Sequence, residues 1–515
     1  AVALAEPGQE LMLPPRALTP RTAALIAVSA DAAGCQRALD QAEERVAAVI
    51  SAPGPARLGA VAENPVTRRF LAPHRTPRRM VVSGVKGVDW FRYGAGGGEG
   101  LNRPVFLTAA ERHGVERDLA GVFDLLTSIP ARLFDGDRRR FARAVGMSPT
   151  QADIVMRGMQ PAPVPLARAD MYRETAGFKL MELNTGSSLG GWQMAEFGHA
   201  MTHDQDFCRF ADAERLTYPD PLRAIADVML AQPGAQRGYP SRPLLALTDW
   251  PDGFAKTKCW MDFVVPAWMR MGFDTLVCHT GDFEHRGGAV YLHGRKVDII
   301  YRMFLPGEMA DEQRSFDLVN PILEAAARET VQLFAPLDSE LYGNKGSLAI
   351  VSDERNRSAF SAGELSLIDR VLPWTRFLRD ERVSHQGESV DLLRYVLANQ
   401  DHLVLKPTLL YGGVGVTPGW TVSQQEWTDR VRAAMSGPFV VQERVWPTAE
   451  RFVAESGTGF EEKVIAYGFM LIGGRYAGTL IRATPDKQVG IVSMLRGAQI
   501  GCAFDAADQA VEVAR

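Results

Sequence analysis

The sequence has little of what staples or metallates a chain. Its five cysteines, at positions 35, 208, 259, 278 and 502, are scattered, odd in number and never spaced as C-x-x-C. That argues against a disulfide framework or a zinc site and fits the reducing context of a cytoplasmic enzyme. The nine histidines contain no H-x-x-x-H pair, so a histidine metal centre is not expected. No apolar run approaches the roughly 18 residues of a membrane span, and the opening stretch "AVALAEPGQELMLPPRAL" lacks the basic end and apolar core of a signal peptide. A strong excess of charge is missing too: the net charge is −4 and the pI about 6.2, which argues against a general nucleic-acid binder. There is no internal repeat and no low-complexity tract.

What is present is an ordinary globular composition, 46% hydrophobic and 23% charged, over 515 residues. That length exceeds one ordinary core, so two to four structural units are expected. Residues 1 to about 80 are rich in Ala, Arg and Pro, with helical periodicity in "QRALDQAEERVAAVI". A short strand and a glycine-rich loop follow over 81–104. The stretches "AAERHGVERDLAGVFDLLTSIPARLF" and "DRRRFARAVG" then read as amphipathic helices. From 221 onward strands alternate with helices of 12 to 16 residues, which suggests a small α/β layer with a partly parallel sheet. Within it, "AVYLHGRKVDIIYRMF" reads as two strands around a His-Gly turn and "VNPILEAAARETVQLF" as one helix. The stretch from Phe439 to Phe504 is rich in strands.

The most informative segment is "PLARADMYRETAGFKLMELNTGSSLGG", residues 165–191. Two strand-like runs flank Thr175-Ala176-Gly177, a three-residue hairpin loop with glycine last. Centred on Ala176, the hairpin sets Asp170 opposite Glu182 and Arg168 opposite Asn184, all on one face. Ala169, Met171, Met181 and Leu183 form the opposite, core face. Facing carboxylates repel unless a cation lies between them, and an Asp, a Glu and an Asn are hard oxygen ligands suited to Mg2+. A solvated hairpin with Arg168 neutralising the acids accounts for the same spacing.

In "HLVLKPTLLYGGVGV", residues 402–416, Lys406 sits in an apolar strand-like run and precedes glycines at 412, 413 and 415. Glycine N–H groups closing over phosphates while Lys406 meets the charge is one reading; a turn whose lysine reaches out to water is the other. "GPFVVQERVWP" is an apolar strand stopped by proline. It serves either as an adenine-reading linker or as a plain edge strand. Arg302 in "VDIIYRMF" and Arg482 in "GGRYAGTLIRAT" suit either anion recognition or structural ion pairs.

Together these pieces resemble the ATP-grasp ligases. In that superfamily a strand lysine precedes a glycine-rich flap, a V-V-Q-E-x-V hinge binds adenine and an E-x-N motif holds Mg2+. "LVLKPTLLYGGVGV", "FVVQERV" and "MELNTG" match these in turn. Here Glu182-Leu183-Asn184 precedes Lys406 by over 200 residues, an order similar to that of the circularly permuted members typified by glutathionylspermidine synthase. "SELYGNKGSLA" is similar to that group's N-K segment, and the 12-residue step from Asp170 to Glu182 matches its hairpin. The matched segments run from about 165 to 500. Two departures stand out. Glu462-Lys463 occupies the place of a post-hinge Asp-x-Arg, and no segment resembles a Cys/His amidase.

The resemblance implies an α+β, α/β fold of circularly permuted ATP-grasp type. A mixed, largely helical accessory region would span 1–150, the metal hairpin 151–220, a Rossmann-like domain 221–345, and the lysine, flap and hinge subdomains 346–515. It implies a carboxylate–amine ligase that uses ATP and Mg2+ and works through an acyl phosphate. Asp170, Glu182 and Asn184 would hold the metal, and Lys345 and Lys406 the phosphates. Arg168, Arg302 and Arg482 would steady the transferred phosphoryl group. Tyr411, Gly412, Gly413 and Gly415 would form the flap, and Gln442, Glu443 and Val445 the adenine pocket. The partners implied are a small carboxylate and an amine, with no nucleic acid or membrane. Trp192 and the aromatic and basic residues of 88–100 are candidates to face the substrate. A phosphotransferase and a nucleotide-binding protein without turnover are the competing readings.

Overall fold

The computed structural model describes residues 61–72, 100–159, 163–192, 194–231, 238–309, 312–410, 412–454, 459–486 and 490–507. The expected helix at 36–50, the strand and glycine-rich loop at 81–99, and Tyr411 lie outside the described residues.

In chain order, strand β1 (Val105–Leu107) leads into helix α1 (Ala109–Leu133). Thr108 and Glu111 form a capping box at its start, each satisfying a backbone N–H that the first turn leaves open. Buried Val115, Leu119, Val122, Leu126 and Ile129 recur along the helix at its own period. The hairpin strands β2 (Leu166–Glu174) and β3 (Gly177–Thr185) follow. Next come β4 (Leu244–Asp249), α2 (Pro251–Arg270), β5 (Asp274–His279), β6 (Ile299–Arg302), α3 (Glu312–Ala327) and β7 (Gln332–Phe334). Helix α4 (Lys345–Ser352) precedes β8 (Thr375–Phe377), β9 (Leu403–Pro407), β10 (Thr417–Pro418) and β11 (Phe439–Glu443). The described chain closes with β12 (Ala449–Val453), β13 (Phe460–Ile472), β14 (Arg475–Thr484) and β15 (Gln499–Ala506).

Three sheets frame the site. An eight-stranded sheet runs β1-β15-β14-β13-β2-β3, with β12 alongside the first half of β13 and a short strand, Leu216–Thr217, on β15. It draws on three distant parts of the chain. The second sheet, β7-β6-β4-β5, is wholly parallel. Its strand β4 is buried throughout, as a strand covered on both faces must be. The third, β8-β11-β9-β10, is antiparallel. It carries Lys406 on β9 beside the hinge strand β11, with Val440 opposite Lys406.

Two local expectations change. The His-Gly turn joins Ala289–Leu292 to Arg295–Lys296 in a small separate sheet, whereas Ile299–Arg302 joins the parallel one. The segment read as one helix ends at Ala327, and Gln332–Phe334 is a strand. There the β-prone Val-Gln-Leu-Phe run finds a parallel partner in β6, and tertiary pairing overrides the helical reading.

Candidate functional site

The site begins with alternation along β2 and β3. Asp170 pairs with Glu182 and Arg168 with Asn184, so four polar side chains share one face. The turn is shorter than the sequence suggests, because Glu174 pairs directly with Gly177 and leaves Thr175-Ala176 between them. A bulge restores the register. Met171 pairs with Leu180 and Asp170 with Glu182, so Met181 is the extra residue. Ala169, Met171 and Leu183 enter the core as expected. Met181 does not: it lines the cavity, and its carbonyl accepts a hydrogen bond of 3.2 Å from Lys406 Nζ.

Around this face the charges interlock. Arg168 donates to both Asp170 oxygens, Nε to Oδ1 at 2.8 Å and Nη2 to Oδ2 at 3.1 Å. Arg482, reaching from β14, places Nη2 2.7 Å from Asp170 Oδ1. Lys345 Nζ lies 3.0 Å from Glu182 Oε2 and donates to the Leu410 carbonyl at 2.8 Å. Lys406 donates to Gln442 Oε1 at 2.6 Å, and Gln442 in turn donates to Thr375. The Asn184 amide nitrogen sits 3.4 Å from both Asp170 Oδ2 and Glu182 Oε1.

Four cations therefore surround two carboxylates, an excess that favours a bound anion. Burial works against ionisation of Glu182. Lys345, Lys406 and Arg168 outweigh it and hold its carboxyl well below the usual range. Burial likewise pulls the Lys406 ammonium down to about 8, with Glu182 offsetting part of the effect.

These groups meet a cavity of about 610 Å3. Arg168, Asp170, Glu182, Asn184, Lys406 and Arg482 all line it. So do Gly412 and Gly413, whose φ angles of +63° and +79° favour glycine. Val445 lines the cavity as well, whereas Gln442 lies beneath Lys406. Glu443 and Gly415 lie off the wall; Glu443 donates its N–H to the Trp374 carbonyl. Lys345 stands behind Glu182.

Two more of the expected residues lie off the cavity. Arg302 is fully buried and does not line the cavity. Its guanidinium donates to the carbonyls of Ala335, Phe304 and Pro336, to Ser339 and to Glu340. A group so enclosed cannot reach a phosphate; it holds Glu340, which does line the cavity. Trp192 is buried in an aromatic cluster with Trp260, Trp268 and Tyr301, and Trp260 reaches the cavity instead. Glu462-Lys463, the departure from Asp-x-Arg, is likewise off the cavity, with Lys463 held by Gln499 and Glu461.

The sequence reading missed several lining residues. Arg444, inside the hinge motif, lies between two indoles, 3.8 Å from the Trp420 ring centre and 3.9 Å from that of Trp446. Burial lowers its pKa to about 10. Tyr172, Glu340, Trp420 and Ser493 also line the cavity. A polar Tyr172 on the Arg168–Asp170 face was the one available signal, since period two extends to it. Among the described residues no three His, Cys, Asp or Glu side chains gather as a metal cluster, and no helix is long and apolar enough to cross a membrane.

No protein-family model matches the chain, and no curated protein matches it. Among solved structures the chain is similar to a glutathione synthetase-like effector of Globodera pallida in its apo form. The identity is 13% over 81% of this chain and 94% of that one, with a TM-score of 0.48. It is also similar to a Methylobacillus flagellatus KT protein assigned as a gamma-glutamylcysteine synthetase. There the identity is 11% over 78% of this chain and 89% of that one, with a TM-score of 0.37. Both scores fall below 0.5, so neither likeness bears on the chemistry of this chain.

Proposed function

We propose that this protein is an ATP-dependent carboxylate–amine ligase of the circularly permuted ATP-grasp type. One observation carries the reading. Lys406, the Asp170–Glu182–Asn184 hairpin and the glycines at 412 and 413 line one cavity, although the hairpin and Lys406 are over 200 residues apart in the chain. The order of these motifs along the sequence supports the permuted type.

The donor set fits Mg2+. Asp170, Glu182 and Asn184 offer hard oxygens, and the Asn184 amide occupies the position between the two carboxylates. Amide orientation follows its partners, so turning it would present Oδ1 to a cation there. When bound, Mg2+ would neutralise charge on the nucleotide's phosphate oxygens.

In this reading the substrate carboxylate attacks the terminal phosphate of ATP, giving an acyl phosphate and ADP. An amine then attacks the acyl carbon and releases phosphate. The chain contributes position and charge. Lys406 meets the phosphates from the floor of the cavity. Lys345 holds Glu182 ionised and ties the root of the flap through Leu410. Arg168 and Arg482 offset negative charge developing at the transferred group. The flap excludes water from the acyl phosphate, and Arg444 and Val445, the hinge residues that line the cavity, take the adenine.

The test is an ADP-release screen against amino acids, small peptides and amines, with hydroxylamine as a trap. The expected result is acid-dependent ADP release with hydroxamate formed in proportion. ADP release with phosphate retained in a metabolite would replace the ligase with a phosphotransferase. No nucleotide binding at all would end both readings.

A further inference from the structure

Ser493 occupies the residue before a short helical turn, Met494–Arg496, yet its side chain makes no capping bond. Serine at such a position ordinarily accepts a backbone N–H. Instead its hydroxyl is buried, with the residue 8% exposed, and has no partner. Burying a hydroxyl in that state is costly unless something outside the chain bonds it.

Its position follows from its neighbours. Val492 packs with Val464, Ala466 and Tyr172, whereas Met494 packs against the cluster that holds Leu480. In the sheet beneath, Ala466 pairs with Arg482 and Gly468 with Leu480. Ser493 and Arg482 line the same cavity. Arg482 bonds Asp170 through Nη2, but its Nε is buried and unpartnered. Among the described residues, Arg482 and Ser493 are the two cavity-lining side chains that keep a buried polar atom without a partner. The carboxylate beside Arg482, Asp170, already receives Arg168 on both oxygens.

We propose that Arg482 Nε–H and Ser493 Oγ–H form a subsite for an oxyanion, beside the Asp170–Glu182 pair. The proposal rests on the ligase reading and deepens it. The occupant is either the carboxylate to be activated or an oxygen of the transferred phosphoryl group, and both accept from the same two donors.

The full chain, saturated with ADP and Mg2+, is titrated with orthophosphate, followed by 31P line broadening, and separately with acetate carrying a 13C carboxyl. Wild type, Ser493→Ala and Ser493→Thr are compared. The expected result is about tenfold weaker anion binding in Ser493→Ala, as for loss of one hydrogen bond to a charged group. Ser493→Thr, which keeps the hydroxyl, restores most of it, and ADP affinity stays within about twofold in both variants. Weakening of orthophosphate alone assigns the subsite to the phosphoryl group, and of acetate alone to the acid. Equal anion binding in wild type and Ser493→Ala, or no anion binding in wild type, overturns the subsite while leaving the nucleotide reading intact. Failure of ADP to bind wild type overturns the ligase reading itself.

Discussion

Two clusters of buried charge sit on the eight-stranded sheet, and successive residues of β2 separate them. Tyr172 turns to the cavity; Arg173 turns the other way. On Arg173's side, Glu450 receives Arg103 at 2.9 Å, Arg173 at 3.2 Å and Tyr467 at 3.3 Å, and Arg173 also meets Glu111. Two arginines there balance two glutamates, and none of the four lines the cavity. On the Asp170 side, four cations face two carboxylates beside open space. Balanced charge without a cavity holds a fold together. Excess charge of one sign beside a cavity is arranged for something that arrives later. Arg302 is balanced like the first kind, since Glu340 and carbonyl oxygens enclose it, although Glu340 also borders the cavity.

Substitutions can break this contrast. The largest effect is expected from Glu450→Ala, which leaves Arg103 and Arg173 buried without their shared anion. Stability should fall by about 3–5 kcal/mol, read by urea unfolding. Glu182→Gln should do the reverse, lowering ADP release by about a hundredfold or more while shifting the unfolding midpoint far less. Near-normal turnover in Glu182→Gln would remove the metal assignment and with it the difference between the clusters. Arg444→Ala removes a cation stacked on two indoles and should raise the nucleotide KM about tenfold, with kcat little changed.

The smallest effect is one of pH. Lys406 is held at about 8, below its ordinary 10.5. Between those values the unfolded chain keeps a proton that the folded chain has lost, so this group makes stability rise with pH across that window. The same deprotonation removes charge from the phosphate site, so ADP affinity should fall as pH passes about 8. Lys406→Met should bind ADP weakly at every pH and lack this break, measured by calorimetry across pH 6.5 to 9.5. Glu182, also held low, gives the same sign of slope in an acid window: its stabilising contribution is present above its unfolded pKa and is lost as pH falls through its folded one.

Much of the candidate site was legible because it is written locally. The Arg168, Asp170, Glu182 and Asn184 face follows from period two in a hairpin, and Lys406 before its glycines is a pattern within 15 residues. Legibility ended where a residue's meaning depends on what packs against it. Arg302 and Arg482 look alike in sequence, each on an apolar strand. One is enclosed by Glu340 and carbonyls, and the other reaches Asp170 across the sheet. The Trp420–Arg444–Trp446 stack, the Met181 bulge and the unpartnered Ser493 hydroxyl leave no mark on periodicity.

The sequence by itself determined which residues share a strand face, where a lysine precedes flexible backbone, and in what order these pieces occur. All of these are consequences of spacing along one chain. Only the tertiary structure decided which charges are neutralised and which remain for a ligand. Burial and distance between remote strands set the electrostatic balance, and neither is encoded at any single position.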